Sequence, residues 1–248
     1  DLMRQSAALA RAYGVRLHTH LAETIDEEAF CLARYGARPV DAMQTMDWLG
    51  EDVWFAHSVH VNRAEIGLYA QTGCSVAHCP SSNMRLASGI APILEMLSSG
   101  VKVGLGVDGS ASNDSSHMLG EARQAMLLSR LNAGLHGASQ SEKTSFPLMT
   151  PRQALELATR LGAKVLGRSD IGSLEPGKCA DLFAIRLDRL EYTGALHDPL
   201  AAIVLCTPVN VDYTLVGGRF IVKEGQLITI DLPKLITDHN QAARRLAQ

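Results

Sequence analysis

Several features that would mark a large or charged partner are missing from this chain of 248 residues. Lysine and arginine number 23 against 26 aspartates and glutamates, a formal charge of −3 with no basic run. That balance argues against nucleic acid and for a small, near-neutral ligand. No apolar stretch reaches the roughly eighteen residues a membrane-crossing helix needs, so no membrane partner is expected. The opening Asp1-Leu2-Met3-Arg4-Gln5 lacks the basic-then-apolar order of a secretory signal. There is no C-x-x-C pair. The five cysteines (Cys31, Cys74, Cys79, Cys179, Cys206) are scattered and odd in number, which reads as buried thiols of a reducing, cytoplasmic compartment. Internal repeats and low-complexity segments are also missing.

What is present is a large apolar fraction, 46% of the chain, enough for a sizeable core. It is arranged in short runs that end in functional-looking loops. Val101–Val107 is an apolar run with β-branched residues that dissolves into Asp108-Gly-Ser-Ala-Ser-Asn-Asp114, the pattern of a buried parallel strand opening into a loop at its carboxyl end. Asp-Gly is also a turn dipeptide, so Asp108 alone decides nothing. Upstream, residues 15–22, 53–59 and 74–79 read as three more strands. Helices are expected over 2–13, 26–35, 39–48, 62–72, 92–98 and 116–132, with one more from Thr150; 80–83 reads as an exit loop and 134–145 as a flexible excursion. Four strand-then-helix units in succession predict a parallel sheet with right-handed crossovers. Past about residue 167 the pattern shifts to short strands (171–177, 180–187, 211–216, 219–222) with a helix near 197–205 and a terminal helix from Leu232. The expected division is 1–166, an α/β unit; 167–231, a small β module with an inserted helix; and 232–248, the terminal helix.

The four strand ends carry His20 with Glu23, His57, His78 and Asp108. Neighbouring parallel strands would bring these to one rim, where ligands sit in α/β folds. Two histidines and a carboxylate converging there are the ingredients of a zinc site. Any one of these histidines could be a packing residue; their joint placement points to chemistry. His18 shares a strand face with His20 and reads either as a second ligand or, preferably, as a deeper supporting residue. Gly172-Ser-Leu-Glu-Pro-Gly-Lys178 imitates a phosphate loop, but Cys179 stands where Ser or Thr is needed and no strand-to-helix setting surrounds it.

At this point the chain resembles the amidohydrolase superfamily, in its purine, S-adenosylhomocysteine and chlorotriazine deaminase branch. The likeness rests on His18-Thr-His-Leu-Ala-Glu23, Ala56-His57, Val76-Ala-His-Cys-Pro-Ser-Ser-Asn83, Leu105-Gly-Val-Asp108 and Gly172–Asp181. Asn83–Gly89 and Ser116–Gln124 look most like the 8-oxoguanine deaminases. The resemblance implies a TIM-like (β/α)8 barrel, of which this chain holds strands five to eight, plus part of a small β-sandwich side domain. It implies His20 and Asp108 as metal ligands, Glu23, His57 and Asp108 as catalytic residues, and Asn83, Arg85 and His78 as substrate contacts. Zn²⁺ is the implied cofactor, one per protomer, with Fe²⁺ as the alternative ion. The implied reaction is hydrolytic deamination of a purine-type base, 8-oxoguanine to urate and ammonia. Guanine, isocytosine, S-adenosylhomocysteine-type and triazine substrates, or a non-catalytic homologue, are the alternatives. The family's first-strand His-x-His, which should lie far upstream, has no counterpart in the nineteen residues before His20. The segment therefore reads as the C-terminal part of a longer, homo-oligomeric protein, inactive without the first half of the barrel.

Overall fold

The computed structural model describes residues 2–137, 148–206 and 209–247. Its centre is a parallel sheet of four strands in sequence order, β1 (Leu17–Leu21), β2 (Val53–His57), β3 (Ser75–His78) and β4 (Lys102–Leu105). The helices between them are α1 (Leu2–Ala12), α2 (Ile25–Tyr35), α3 (Pro39–Thr45), α4 (Arg63–Thr72), α5 (Pro80–Arg85) and α6 (Ile93–Ser98). Beyond β4 come α7 (Met118–Gly137), α8 (Pro151–Ala158) and α9 (Arg160–Val165).

Local chemistry sets the helix ends. Thr24 accepts from the Glu27 N–H at the start of α2, and Asn62 with Glu65 and Thr150 with Gln153 form reciprocal capping boxes on α4 and α8. Gly36 and Gly73 end α2 and α4 at φ values of 65° and 80°, where a side chain would be strained.

Strand alternation separates two faces. Leu17, Leu21, Val53, Phe55, Val76 and Val103 lie on one and pack with the helices into the core. His18 and Trp54 stand opposite one another on the other face, as do His20, Ala56, Ala77 and Gly104 in a row. That face is open beside β1, where His18 is exposed. Toward β4, α9 crowds it: a Cβ on Gly104 would stand 2.8 Å from Gly162 Cα, so two glycines let strand and helix backbones touch.

The second sheet is antiparallel, a meander of β5 (Leu182–Ala184), β6 (Tyr213–Val216), β7 (Arg219–Lys223) and β8 (Gln226–Leu227). The inserted helix α10 (Pro199–Leu205) packs on α7 and α8, with Val204 in the main core, so it belongs spatially to the first unit. Helix α11 (Leu232–Leu246) has no buried residue.

Four expectations need correction. Residues 80–83 are not a loop but the first turn of α5, started by Pro80 at the position where its missing N–H costs nothing. Residues 171–177 form bends and turns rather than a strand. The helix opening at Thr150 breaks at Thr159, whose φ and ψ of −128° and −101° end α8 and begin α9. Of the excursion over 134–145, residues 134–137 finish α7 and the rest lies outside the described residues.

Candidate active site

Three of the four strands, β1, β2 and β4, hand one group each to the same rim. His20 leaves from β1, His57 ends β2, and Asp108 lies three residues past β4. Their ligand atoms, two imidazole nitrogens and a carboxylate oxygen, all fall within 4.8 Å of one another. His20 Nε2 is 3.8 Å from Asp108 Oδ1, and His57 Nε2 is 3.6 Å from Asp108 Oδ2. Glu23 joins from the β1 exit, with Oε1 3.6 Å from the same His57 nitrogen. The His20 and His57 rings lie 5.2 Å apart, nearly parallel.

The backbone is bent to achieve this. Strict alternation would leave His57 on the helix-covered face with Val53 and Phe55. A left-handed turn over His57 and Ser58, with φ of 71° and 48°, ends the alternation, and Ala22 and Asp108 adopt φ of 50° and 64° at the neighbouring strand ends. Left-handed conformations at non-glycine residues persist only where surrounding contacts hold them. Here the Ala22 carbonyl accepts from the Val59 and His60 N–H groups. Glu27 accepts from the Ala22 and Glu23 N–H groups through its two carboxylate oxygens, at 2.9 and 2.8 Å. Glu27 therefore fixes the turn that carries Glu23. Reading Asp26-Glu27-Glu28 as a helix start could find its N-terminal position but not this reach backwards.

Asp108 is well supplied with donors. Ser82 Oγ lies 2.6 Å and Ser112 Oγ 3.2 Å from Oδ2, and the Gly109 N–H donates to Oδ1 at 2.8 Å. Partial burial would raise the carboxyl pKa, but the Ser82 and Gly109 hydrogen bonds, the nearby His57 and Ser112 together hold it below the ordinary range. His57 is fully buried. Its Nδ1 is 2.8 Å from Asn83 Oδ1, and its Nε2 has no hydrogen-bond partner among the described residues.

The remaining expected site residues separate. Asn83 is buried against His57. Arg85 is half-exposed and paired with Asp114 on the β4 exit loop. His78 shares the helix-covered face with Val76 and is buried, which with the neighbouring His57 pushes its pKa down to about 3 and keeps it neutral. His18 stacks on Trp54 at 3.5 Å and bonds the Trp54 carbonyl through Nδ1, outside the cluster.

The cluster fits a divalent cation. Donors of a tetrahedral zinc at about 2.0–2.2 Å stand about 3.3–3.6 Å apart; the 3.8 and 3.6 Å separations to Asp108 are close to that, and the whole group falls within 4.8 Å. Two histidines and one carboxylate are ligand types that catalytic zinc sites use. The orphaned buried Nε2 of His57, aimed between two carboxylates, is the kind of atom such an ion satisfies.

Residues 1–221 match the Amidohydrolase family. The 8-oxoguanine deaminase of Pseudomonas aeruginosa is 50% identical over 246 residues, which cover 99% of this chain and 52% of that protein. The zinc-bound adenosine deaminase from Xanthomonas campestris superposes with a TM-score of 0.90 at 31% identity, covering 99% of this chain and 54% of that one. The zinc complex of an atrazine chlorohydrolase from Arthrobacter aurescens gives 0.88 at 32%, covering 97% and 51%. The chain thus spans about half the length of the relatives it matches.

Proposed function

The chain belongs to the amidohydrolase family, and on that premise we propose that its site serves the metal-assisted hydrolytic deamination of a purine-type base, with 8-oxoguanine the first candidate. The observation that carries the reading is the meeting of His20, His57 and Asp108 at one point, with Glu23 beside them. The substrate preference leans on the 50% identity to the 8-oxoguanine deaminase.

His20 and Asp108, with His57 in reach, would hold the ion, zinc first and Fe²⁺ second. Bound there, it supplies the Lewis acidity that brings a water's pKa down toward about 7. The chain's own groups do the rest. The carboxylate of Asp108, kept ionised by its three donors, takes a proton from the attacking water. His57, with its Nε2 lone pair committed to the ion, would orient the attacking water only through the position it gives that ion, and Asp108 aims the water's oxygen at the amino-bearing ring carbon. Glu23 delivers a proton to the adjacent ring nitrogen, which makes that carbon electrophilic. The new C–O bond forms and the exocyclic C–N bond breaks. One water proton ends on the ring nitrogen through Glu23 and the other leaves on ammonia through Asp108. Arg85, paired with Asp114 on the β4 exit loop, would reach a substrate only by giving up that partner.

Among the described residues the four parallel strands leave two unpaired edges, so the reading includes a second half of the barrel supplied by further polypeptide. The test is to co-express the chain with that part of the P. aeruginosa enzyme it does not match, then measure zinc and ammonia release. The panel is 8-oxoguanine, guanine, isocytosine, adenosine and a chlorotriazine. About one zinc per protomer and fastest turnover of 8-oxoguanine are expected. Zinc with a different preferred substrate would correct the specificity; no zinc and no turnover would leave a non-catalytic homologue.

A further inference from the structure

We infer that the short helix α5 is a bracket that orients two site residues at once, and that Asn83 sets the tautomer of His57. This rests on the site being the one described above. Consecutive residues of α5 reach different strands: Ser82 Oγ bonds Asp108 beyond β4, and Asn83 Oδ1 bonds His57 at the end of β2. Ser82, Asn83 and His57 are all completely buried, so no solvent competes for these bonds.

The bracket is itself anchored. Glu121 on α7 is a buried carboxylate with no part in the proposed chemistry. One of its oxygens accepts from the Ser81 N–H at 3.1 Å, in the first turn of α5, and the other accepts from Asn113 Nδ2 at 2.9 Å. The same Asn113 nitrogen donates to the Val107 carbonyl, next to Asp108. One carboxylate therefore ties the helix to the loop that presents Asp108. Burying a charge is tolerable only when its oxygens are bonded, and here both are.

The consequence for His57 follows from its valence. A neutral imidazole has one N–H and one lone pair. An amide oxygen can only accept, so the proton sits on Nδ1 and the lone pair on Nε2. That is the nitrogen left without a partner, 3.6 Å from both Glu23 and Asp108. Without Asn83, two carboxylates facing Nε2 would draw the proton to it and close the site to a cation. Asn83 is thus a positioning residue, acting through His57.

The test reads the tautomer directly. Nitrogen-15 spectra of the histidine-labelled chain at neutral pH should show His57 protonated at Nδ1 and bare at Nε2. Asn83→Leu removes the acceptor and should move the proton to Nε2, weakening zinc binding, measured by chelator competition, about 10- to 100-fold. Asn83→Asp keeps an acceptor and should keep both the tautomer and zinc affinity within about threefold. A wild-type His57 protonated at Nε2 overturns the inference whether or not any variant folds. So does an Asn83→Leu protein with unchanged tautomer and zinc affinity. The spectra need no substrate, so a chain that deaminates nothing can still confirm or refute the bracket. An active protein with His57 protonated at Nε2 would refute it alone.

Discussion

Glu23 and Asp108 are both carboxylates within 3.6 Å of one imidazole nitrogen, yet their surroundings differ. Asp108 receives three hydrogen bonds that favour its charged form, which suits a ligand and proton acceptor. Glu23 is held by its backbone, through Glu27, and its carboxylate reaches the site 3.6 Å from His57 Nε2, which suits the proton-delivering role proposed for it. Glu23→Gln should therefore leave zinc occupancy unchanged while slowing deamination by about 10²- to 10⁴-fold, the usual worth of a general acid. Near-normal turnover with zinc bound would remove Glu23 from the proton path. His78 allows a prediction independent of catalysis. Its folded pKa, about 3, lies below the ordinary 6.5, so between these values the unfolded chain binds the extra proton. Its contribution to stability is complete above about pH 6.5 and is lost as pH falls toward 3, with a slope of at most about 1.4 kcal/mol per pH unit. Urea unfolding of wild type and His78→Gln between pH 7 and 4 should show the variant's stability falling less steeply; parallel curves would contradict the assignment. His20, Glu23, His57 and Asp108 were legible in the sequence because each follows an apolar strand-like run. Glu27, Glu121 and Asn113 were not, since their bonds to backbone and to each other depend on how helices and loops come together.

At the scale of elements, strands and long helices were readable because their patterns are local: β-branched runs for strands, capping boxes and terminal glycines for α2, α4 and α8. Helix α5 was hidden for the opposite reason. Pro80-Ser-Ser-Asn83 reads as a turn, and only burial against α7 makes a six-residue helix of it. The placement of α10 was hidden too, because its seven residues look like a linker helix within the small module while its apolar side completes the core between α7 and α8. The α9–β4 contact rests on Gly104 and Gly162 together. Gly104→Ala would put a methyl 2.8 Å from backbone, with no flexible side chain to yield. The expected cost is about 1–3 kcal/mol, the usual penalty of forcing extra volume into a packed interior. Equilibrium denaturation measures it; a change below about 0.5 kcal/mol would mean the helix is free to move away from the strand.

At the scale of the whole molecule, β1 and β4 have neighbours on one side only among the described residues. The sheet's less covered face borders a cavity of about 610 Å³ lined by Trp54, Ala77, Gly104, Met118 and Phe183 among others. On the helical exterior, Leu2, Leu9 and Tyr13 of the α1 region and Phe30 of α2 are all more than half exposed. Unpaired strand edges and uncovered apolar surface are features proteins do not leave free. A barrel closed by four further strands would pair both strand edges and cover the open face of the sheet. Closure has a residue-level signature. In an edge strand alternate N–H groups point away from the sheet and exchange with solvent, whereas those of β2 and β3 are bonded on both sides. Hydrogen exchange on the chain alone should therefore find β2 and β3 protected and the outward amides of β1 and β4 fast. Adding the complementary half-barrel should slow those outward amides at least about tenfold while changing β2 and β3 far less. Uniform protection across all four strands before any addition would mean that the edges are already covered, and the half-barrel reading would fail.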